Sequence, residues 1–320
     1  MRVFVNFTEH RGPYGGANSF LRTLCRALRA RGVHVSHDLR EDVDVALLNA
    51  LTDDIDVAFV REIARRGIPI VHRKVGYRAS GSPELRAVRD GVVEGDRRQL
   101  EFGEYVTHTI FQSRYSRDVF VAAGFEGPAT VIHNGVDEAV FRTTERSWLR
   151  GERVRRYWDG REPLRVVVST WSTDPNKGFS EYERISAAFG GRSDVQLALV
   201  GRTPSGAALD AFTLVPARTA VPLARYLRRQ HVLLQLARHE TCSNALIEGI
   251  NCGLPVVYLD SGSNAELAGG YGVEYEGDLE DALGAIRKRY SSLVERCAAN
   301  PYRASLVVEE YLAVLRTVVG

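Results

Sequence analysis

The stretch Arg238-His-Glu240-Thr-Cys242-Ser243-Asn244-Ala-Leu-Ile-Glu248-Gly-Ile-Asn-Cys252-Gly253-Leu-Pro255-Val-Val257 reads as a strand end, a polar turn, a helix and the start of another strand. Residues 231–236 and 255–259 are short β-rich runs, and Ser243 has the chemistry of a helix N-cap. Glu248 falls just over one turn into the helix, among Ala245, Leu246, Ile247, Gly249, Ile250 and Cys252. A carboxylate in so apolar a segment is costly unless something binds it. A capping box would be the structural explanation, but it needs Ser or Thr three residues earlier, and position 245 is Ala. The helix start also offers backbone N–H groups from Cys242 to Ala245, and its dipole favours an anion there. A phosphate at that point, with Glu240 on the turn and Glu248 a turn deeper to accept hydroxyls, describes a site for a phosphorylated sugar.

Outward from this segment the pattern repeats. The second half of the chain has strands over 165–170, 195–200, 231–236 and 255–259, with helices over 179–189, 222–229, 243–252, 279–297 and 302–318. The first half has strands over 3–7, 43–48, 68–72, 106–111 and 130–133, and helices over 17–30, 57–66, 84–104 and 116–122. Short β-rich runs alternating with helices give parallel sheets with helical crossovers. The charge-rich stretch 145–162, with two Trp and closed by Gly160 and Pro163, is the expected boundary. The expectation is therefore α/β: two doubly wound Rossmann-like domains facing a central cleft, over 1–160 and 161–301, with the 302–320 helix a candidate to cross back. In open parallel sheets ligands sit outside the carboxyl ends of the strands, so residues just after each strand carry most weight.

Bulk composition agrees with two domains and excludes several classes. A chain of 320 residues exceeds what one core usually organises. With 44% apolar and 26% charged residues it is neither disordered nor a membrane bundle. Forty-two basic against forty acidic residues leave +2, so bulk charge attracts no nucleic acid. Cys25, Cys242, Cys252 and Cys297 form no C-x-x-C pair, which removes support for zinc or a disulfide framework and suits a reducing cytoplasm. No signal-peptide core and no eighteen-residue apolar window is present, so no stable membrane insertion is expected. The basic residues themselves are unusual: only Lys74, Lys177 and Lys288 are Lys.

The 238–257 segment resembles the E-x7-E motif of the retaining family 4 glycosyltransferases with the GT-B fold, as Glu240 and Glu248 followed by Cys252-Gly253-Leu254-Pro255. The resemblance extends along the chain: Gly15-Gly16 after the first strand, His72 ending a strand, Asn134-Gly135-Val136-Asp137 closing the first half, and Ser169-Thr-Trp171-Ser172-Thr-Asp-Pro-Asn176-Lys177-Gly178 after the next strand. It implies that Glu248 holds ribose hydroxyls, Glu240 the donor sugar, the Cys242–Asn244 backbone the diphosphate, and Lys177 the same diphosphate as cation. It also implies that His72 brings an imidazole from the first lobe toward the sugar. The family usually has an Arg five or six residues before that Lys, where this chain has Trp171 and Ser172. Ser172 with backbone amides, or Arg202 after the next strand, is the expected substitute.

The expected activity is metal-independent transfer of a hexosyl group from a nucleotide diphosphate sugar to an acceptor hydroxyl, retention being implied by the resemblance alone. No cofactor is expected. Asp42-Val-Asp44 and Asp54-Ile-Asp56 are Asp-x-Asp pairs, but they flank elements of the first lobe, far in sequence from the donor motif. The acceptor is expected to be a small molecule or oligosaccharide, lined by 11–18, 74–83 and the helix that follows, and Arg73, Lys74 and Arg78 could meet an acidic acceptor or the leaving phosphate. Arg97 and Arg98 read as a solvated face, and His108 and His133 as structural. A dehydrogenase would need G-x-G-x-x-G, and Gly12, Gly15 and Gly16 are wrongly spaced for it. A non-catalytic sugar-nucleotide-binding protein and a nonhydrolysing epimerase of the same fold stay open.

Overall fold

The computed structural model of the chain describes residues 1–7, 9, 16–49, 57–76, 99–147, 151–154 and 158–320, with backbone alone for 17, 144–147 and 151–154. These residues form two compact units. Those of Met1–His10, Ala17–Gly135 and Ala304–Gly320 make the first, and Gly16 with Val136–Arg303 the second.

The first unit runs β1 (Arg2–Val5), α1 (Gly16–Ala30), β2 (His34–Ser36), β3 (Val45–Asn49), α2 (Val57–Arg65), β4 (Ile70–Arg73), β5 (His108–Phe111), α3 (Arg114–Ala122) and β6 (Ala129–Val131), with a 3-10 turn at Phe102–Tyr105 before β5. Its parallel sheet has the order β2-β1-β3-β4-β5-β6. β3 and β4 are buried at every position, as strands covered on both faces must be. Phe20, Leu21, Leu24 and Leu28 recur at helical spacing on α1 and pack with Val3, Val5, Leu47 and Val71. Ser113 caps α3, its Oγ accepting from Ser116 N at 3.0 Å.

In the second unit a hairpin, β7 (Thr144–Ser147) with β8 (Gly151–Val154), precedes β9 (Leu164–Thr170), α4 (Phe179–Phe189), β10 (Val195–Gly201), β11 (Phe212–Pro216), α5 (Ala220–Leu227), β12 (Val232–Gln235), α6 (Asn244–Asn251), β13 (Val256–Tyr258), α7 (Asn264–Ala268), β14 (Gly272–Glu274) and α8 (Leu279–Ala298). The sheet order is β11-β10-β9-β12-β13-β14, again parallel throughout. The last helix, α9 (Ala304–Val319), buries Val307, Val308, Tyr311, Leu312 and Leu315 in the first unit's core.

The two units change over at Gly135 and Val136 rather than near residue 160. The cause is side-chain burial: Val136 and Phe141 pack with Ala224, Leu246 and Tyr302, and Arg228 Nη1 donates to Val140 O at 3.0 Å. The charge-rich stretch 145–162 therefore begins inside the second unit. Five strands are absent from the sequence reading: the β7–β8 hairpin, at the start of the charge-rich stretch, and β2, β11 and β14, three of the four edges of the two large sheets. These edges are short or half-exposed, so they carry a weak apolar signal. Among the described residues no helix is long and apolar enough to cross a membrane.

Candidate functional site

In the second unit β10, β9, β12 and β13 are adjacent and parallel, so the turns that follow them emerge at one sheet edge. Two glycines bring those turns close. Gly201, at φ 142°, lies against Thr170, whose carbonyl oxygen a Cβ would meet at 1.6 Å. Arg202 N then donates to Thr170 O at 3.2 Å, and the Arg202 guanidinium stacks over the Trp171 ring at 4.1 Å. Gly178, at φ 83°, lies against Leu236, where a Cβ would stand 2.5 Å from the carbonyl oxygen. The 3-10 turn Pro175–Lys177 is thereby held to the end of β12, with Arg238 N donating to Asn176 O at 2.7 Å.

That approach pairs Lys177 with Glu240, Nζ donating to Oε1, although the two lie 63 residues apart in sequence. Both side chains remain partly open, at 26% and 19% exposure. The turn carrying Glu240 is braced from the loop after β13. His239 N donates to Ser261 Oγ at 3.1 Å, Ser263 N donates to Glu240 O at 2.8 Å, and a Cβ on Gly262 would meet Glu240 O at 2.5 Å. Among the described non-glycine residues, His239 alone has a positive φ, 56°. A left-handed His costs energy that this bracing must hold.

α6 begins just beyond. Ser243 Oγ accepts from Leu246 N at 3.4 Å and from Gln235 Nε2 at 3.0 Å, so its side chain serves the cap and β12. Its offer to an anion is the backbone N–H, together with the other first-turn amides that a helix start leaves unbonded. Cys242 is buried, and Asn244 Nδ2 donates to Gly16 O at 2.7 Å. Gly16 has no room for a side chain, because a Cβ would stand 2.6 Å from Asn244 Nδ2. Gly249 similarly lets α6 settle on Leu233 of β12, whose Cδ2 a Cβ would meet at 2.7 Å. Glu248, next to it, has no hydrogen-bond or ion-pair partner among the described residues. Desolvation pushes its carboxyl up to about 8. Ser172 Oγ accepts from Asp174 N at 3.1 Å and Ser172 O accepts from Thr170 Oγ1 at 3.0 Å, which folds the loop after β9 back on itself.

The expected first-lobe residues are placed differently. His72 is fully buried, its ring 5.5 Å from that of Phe102 and its Nε2 without a partner. Alternation along β4 is the reason: Ile70 and His72 share a face with Phe4, Leu48 and Phe102, so the imidazole turns into the core rather than toward a sugar. Lys74 is buried as well, its Nζ donating to Gln99 O, and burial lowers it to about 7. His108 bonds Thr130 Oγ1 at 2.9 Å. Asp42 and Asp44 pair with Arg2 and the N-terminus, at the opposite end of β3 from Asn49. Gly12, Gly15, Asp54, Asp56, Arg78, Arg97 and Arg98, with most of 84–104, lie outside the described residues.

The structure thus gathers Lys177, Glu240, the start of α6, Glu248, Ser172 and Arg202 at the strand ends of one sheet. Sequence reading missed the brace from Asp260-Ser261-Gly262-Ser263-Asn264 and the stack of Arg202 on Trp171. The first had a signal, a polar Gly-containing run directly after a strand. The second needed the β9–β10 pairing.

Two six-stranded parallel α/β units with these strand orders have the fold of the GT-B glycosyltransferases. No protein-family model matches the sequence, and no curated protein matches it either. Solved structures match through most of the chain. Sucrose-phosphate synthase from Thermosynechococcus elongatus is similar at 17% identity with TM-score 0.64, over 99% of this chain and 98% of that one. A lipopolysaccharide outer core galactosyltransferase in its apo form matches at 11% identity and TM-score 0.64, over 99% of each chain. A glycosyltransferase involved in avilamycin A biosynthesis matches at 18% identity and TM-score 0.58, over 99% of this chain and 98% of that one.

Proposed function

We propose that the protein is a glycosyltransferase that moves a hexosyl group from a nucleotide diphosphate sugar to an acceptor hydroxyl, with retention of configuration and without a metal. The observation that carries this reading is the half-open Lys177–Glu240 pair beside the α6 N-terminus, with Glu248, which has no partner among the described residues, one turn further on. Glu248 would accept the ribose hydroxyls, which supply the donors its carboxylate lacks. The amides from Cys242 to Asn244 would take the diphosphate, with Lys177 leaving Glu240 to neutralise charge as the diphosphate departs. Glu240 is then released to hold the donor sugar. Ser172 and Arg202 border the same edge, Arg202 held on Trp171, and Gly16 contributes through its contact with Asn244. The reading does not rest on His72, whose burial would have to change before it could touch a sugar.

In such a reaction charge builds on the leaving phosphate, so positioning and electrostatics carry the catalysis. Attack from the face that the diphosphate leaves would keep the configuration, the departing phosphate taking the acceptor's proton. Melting curves with UDP, GDP, ADP and dTDP, free and as sugars, test donor binding, since a ligand of the native state alone raises Tm. Donor hydrolysis or transfer that persists in EDTA and disappears in Lys177→Ala supports the enzyme. Nucleotide binding without turnover of any donor overturns it in favour of a binding protein.

A further inference from the structure

The first unit's sheet ends in a feature that donor chemistry does not use. Asn6 follows β1, Asn49 ends β3, Arg73 ends β4, Gln112 follows β5 and Asn134 follows β6, and these strands are neighbours in that order. Their side chains are bonded in one line across the carboxyl edge. Asn49 N donates to Asn6 Oδ1 at 2.6 Å and Asn6 Nδ2 to Asn49 O at 3.0 Å. Arg73 donates through Nη1 to Asn49 Oδ1 at 2.5 Å, and through Nη2 to Gln112 Oε1 at 2.8 Å and Asn134 Oδ1 at 2.7 Å.

Among the described residues every hydrogen-bond acceptor on Arg73 is a neutral amide. The side chain is 1% exposed, its Nε is buried without a partner, and its one other contact of compensating kind among the described residues is the Phe20 ring, 4.4 Å from the guanidinium. No carboxylate pairs with it among the described residues. Arginine cannot shed its proton, and an interior charge is strongly disfavoured unless an opposite charge balances it. Lys74, which burial lowers to about 7, adds a partial second charge, lying 5.0 Å from the Phe120 ring and 5.4 Å from that of Phe125, again with no carboxylate partner among the described residues. If Arg73 served only to tie strand ends together, Asp or Glu in the belt would do so more strongly. Amides at all of these positions hold the guanidinium in place, and no described residue cancels its charge. The belt lies at the strand ends where open α/β sheets take their ligands.

We propose that this edge is the acceptor site and that its uncancelled positive charge selects an acceptor carrying an oxyanion, phosphate or carboxylate. The inference rests on the transferase reading above and gives it a substrate class. The oxyanion need not displace the belt, because a charge in a low-dielectric interior acts on its neighbours over several ångströms.

The test uses the full chain with its preferred nucleoside diphosphate at saturation, so that phosphate cannot report on the second unit's helix start. Melting curves and calorimetric titrations then compare inorganic phosphate, hexose 6-phosphates and hexuronates with the matching neutral hexoses. Oxyanions should raise Tm and neutral sugars should not, and the phosphate and uronate arms separate the two anion types. Asn49→Asp puts a fixed carboxylate on Arg73 and removes no donor bond, since Asn49 Nδ2 donates to nothing among the described residues. It should raise the resting Tm and weaken oxyanion binding at least tenfold. Arg73→Gln should also weaken it tenfold or more, and should that variant fail to fold, Asn49→Asp decides the matter. No response of the wild type to any oxyanion, or an equal response in Asn49→Asp, overturns the inference. Nucleotide binding without an oxyanion response removes the acceptor class and leaves the transferase reading standing. An oxyanion response without nucleotide binding overturns the donor reading, and the acceptor role with it.

Discussion

The carboxyl edges of the two sheets stand on the same scaffold and treat charge in opposite ways. In the first unit Arg73 is sealed at 1% exposure, held by amides and without a counter-ion among the described residues. In the second, Lys177 and Glu240 are paired and half-open, and an acid, Glu248, has no partner among the described residues. A parallel α/β sheet fixes where side chains after the strands emerge. The residues in those turns decide whether the edge attracts anions or accepts hydroxyls, so function is grafted onto the fold and is not a property of it.

The largest effect should come from the second edge. Lys177→Ala is expected to lower donor turnover by about 10²- to 10³-fold, measured with the donor sugar that stabilises the wild type. Its stability cost should stay within about 1 kcal/mol, because the pair it breaks is solvent-accessible. The first edge should behave in reverse. Arg73→Met leaves three amide oxygens without their donor, and denaturant melts should show a loss of about 2–4 kcal/mol. Equal stability costs for the two variants would break the comparison.

A smaller effect separates the edges by pH. Burial raises Glu248 from 4.5 to about 8, so the native state holds a proton that the unfolded chain releases. Its penalty is absent below pH 4.5 and grows until about pH 8. Burial lowers Lys74 from 10.5 to about 7, so the unfolded chain holds the extra proton, and that penalty shrinks as pH rises from 7 to 10.5. Each slope can reach about 1.4 kcal/mol per pH unit at most. Melts of Glu248→Gln between pH 5 and 8 should lose the falling slope, and melts of Lys74→Met between pH 7 and 10 the rising one. Unchanged slopes would remove the buried charges as their cause. The smallest effect is that of Arg202→Ala, which should cost about 0.5–1 kcal/mol through the stack on Trp171. It should also change indole emission and abolish the emission change on adding a nucleoside diphosphate.

Much of this was legible in the sequence. The apolar strands at the sheet centres, the amphipathic helices, and Glu248 in an apolar helix all announce themselves by local pattern. Edge strands such as β11 do not, because half of their residues face water. His72 shows the limit for a site residue. Its place at a strand end is visible in the chain, but the face it takes depends on the register of β4 against β3 and β5. The change of units at Gly135 and Val136 is hidden for a related reason: a charge-rich run looks like a linker, whereas the burial of Val136 and Phe141 in the second unit depends on tertiary packing.

The sequence by itself determined two α/β repeats, an apolar helix with a carboxylate inside it, and one lysine placed ahead of it in a chain that uses arginine almost everywhere. Local periodicity and residue chemistry carry that information. Only the tertiary structure decided that Lys177 meets Glu240, that Arg202 lies on Trp171, and that Asn6, Asn49, Arg73, Gln112 and Asn134 form one belt. Those contacts join residues far apart in the chain, and it is the lateral order of the strands that brings them within bonding distance.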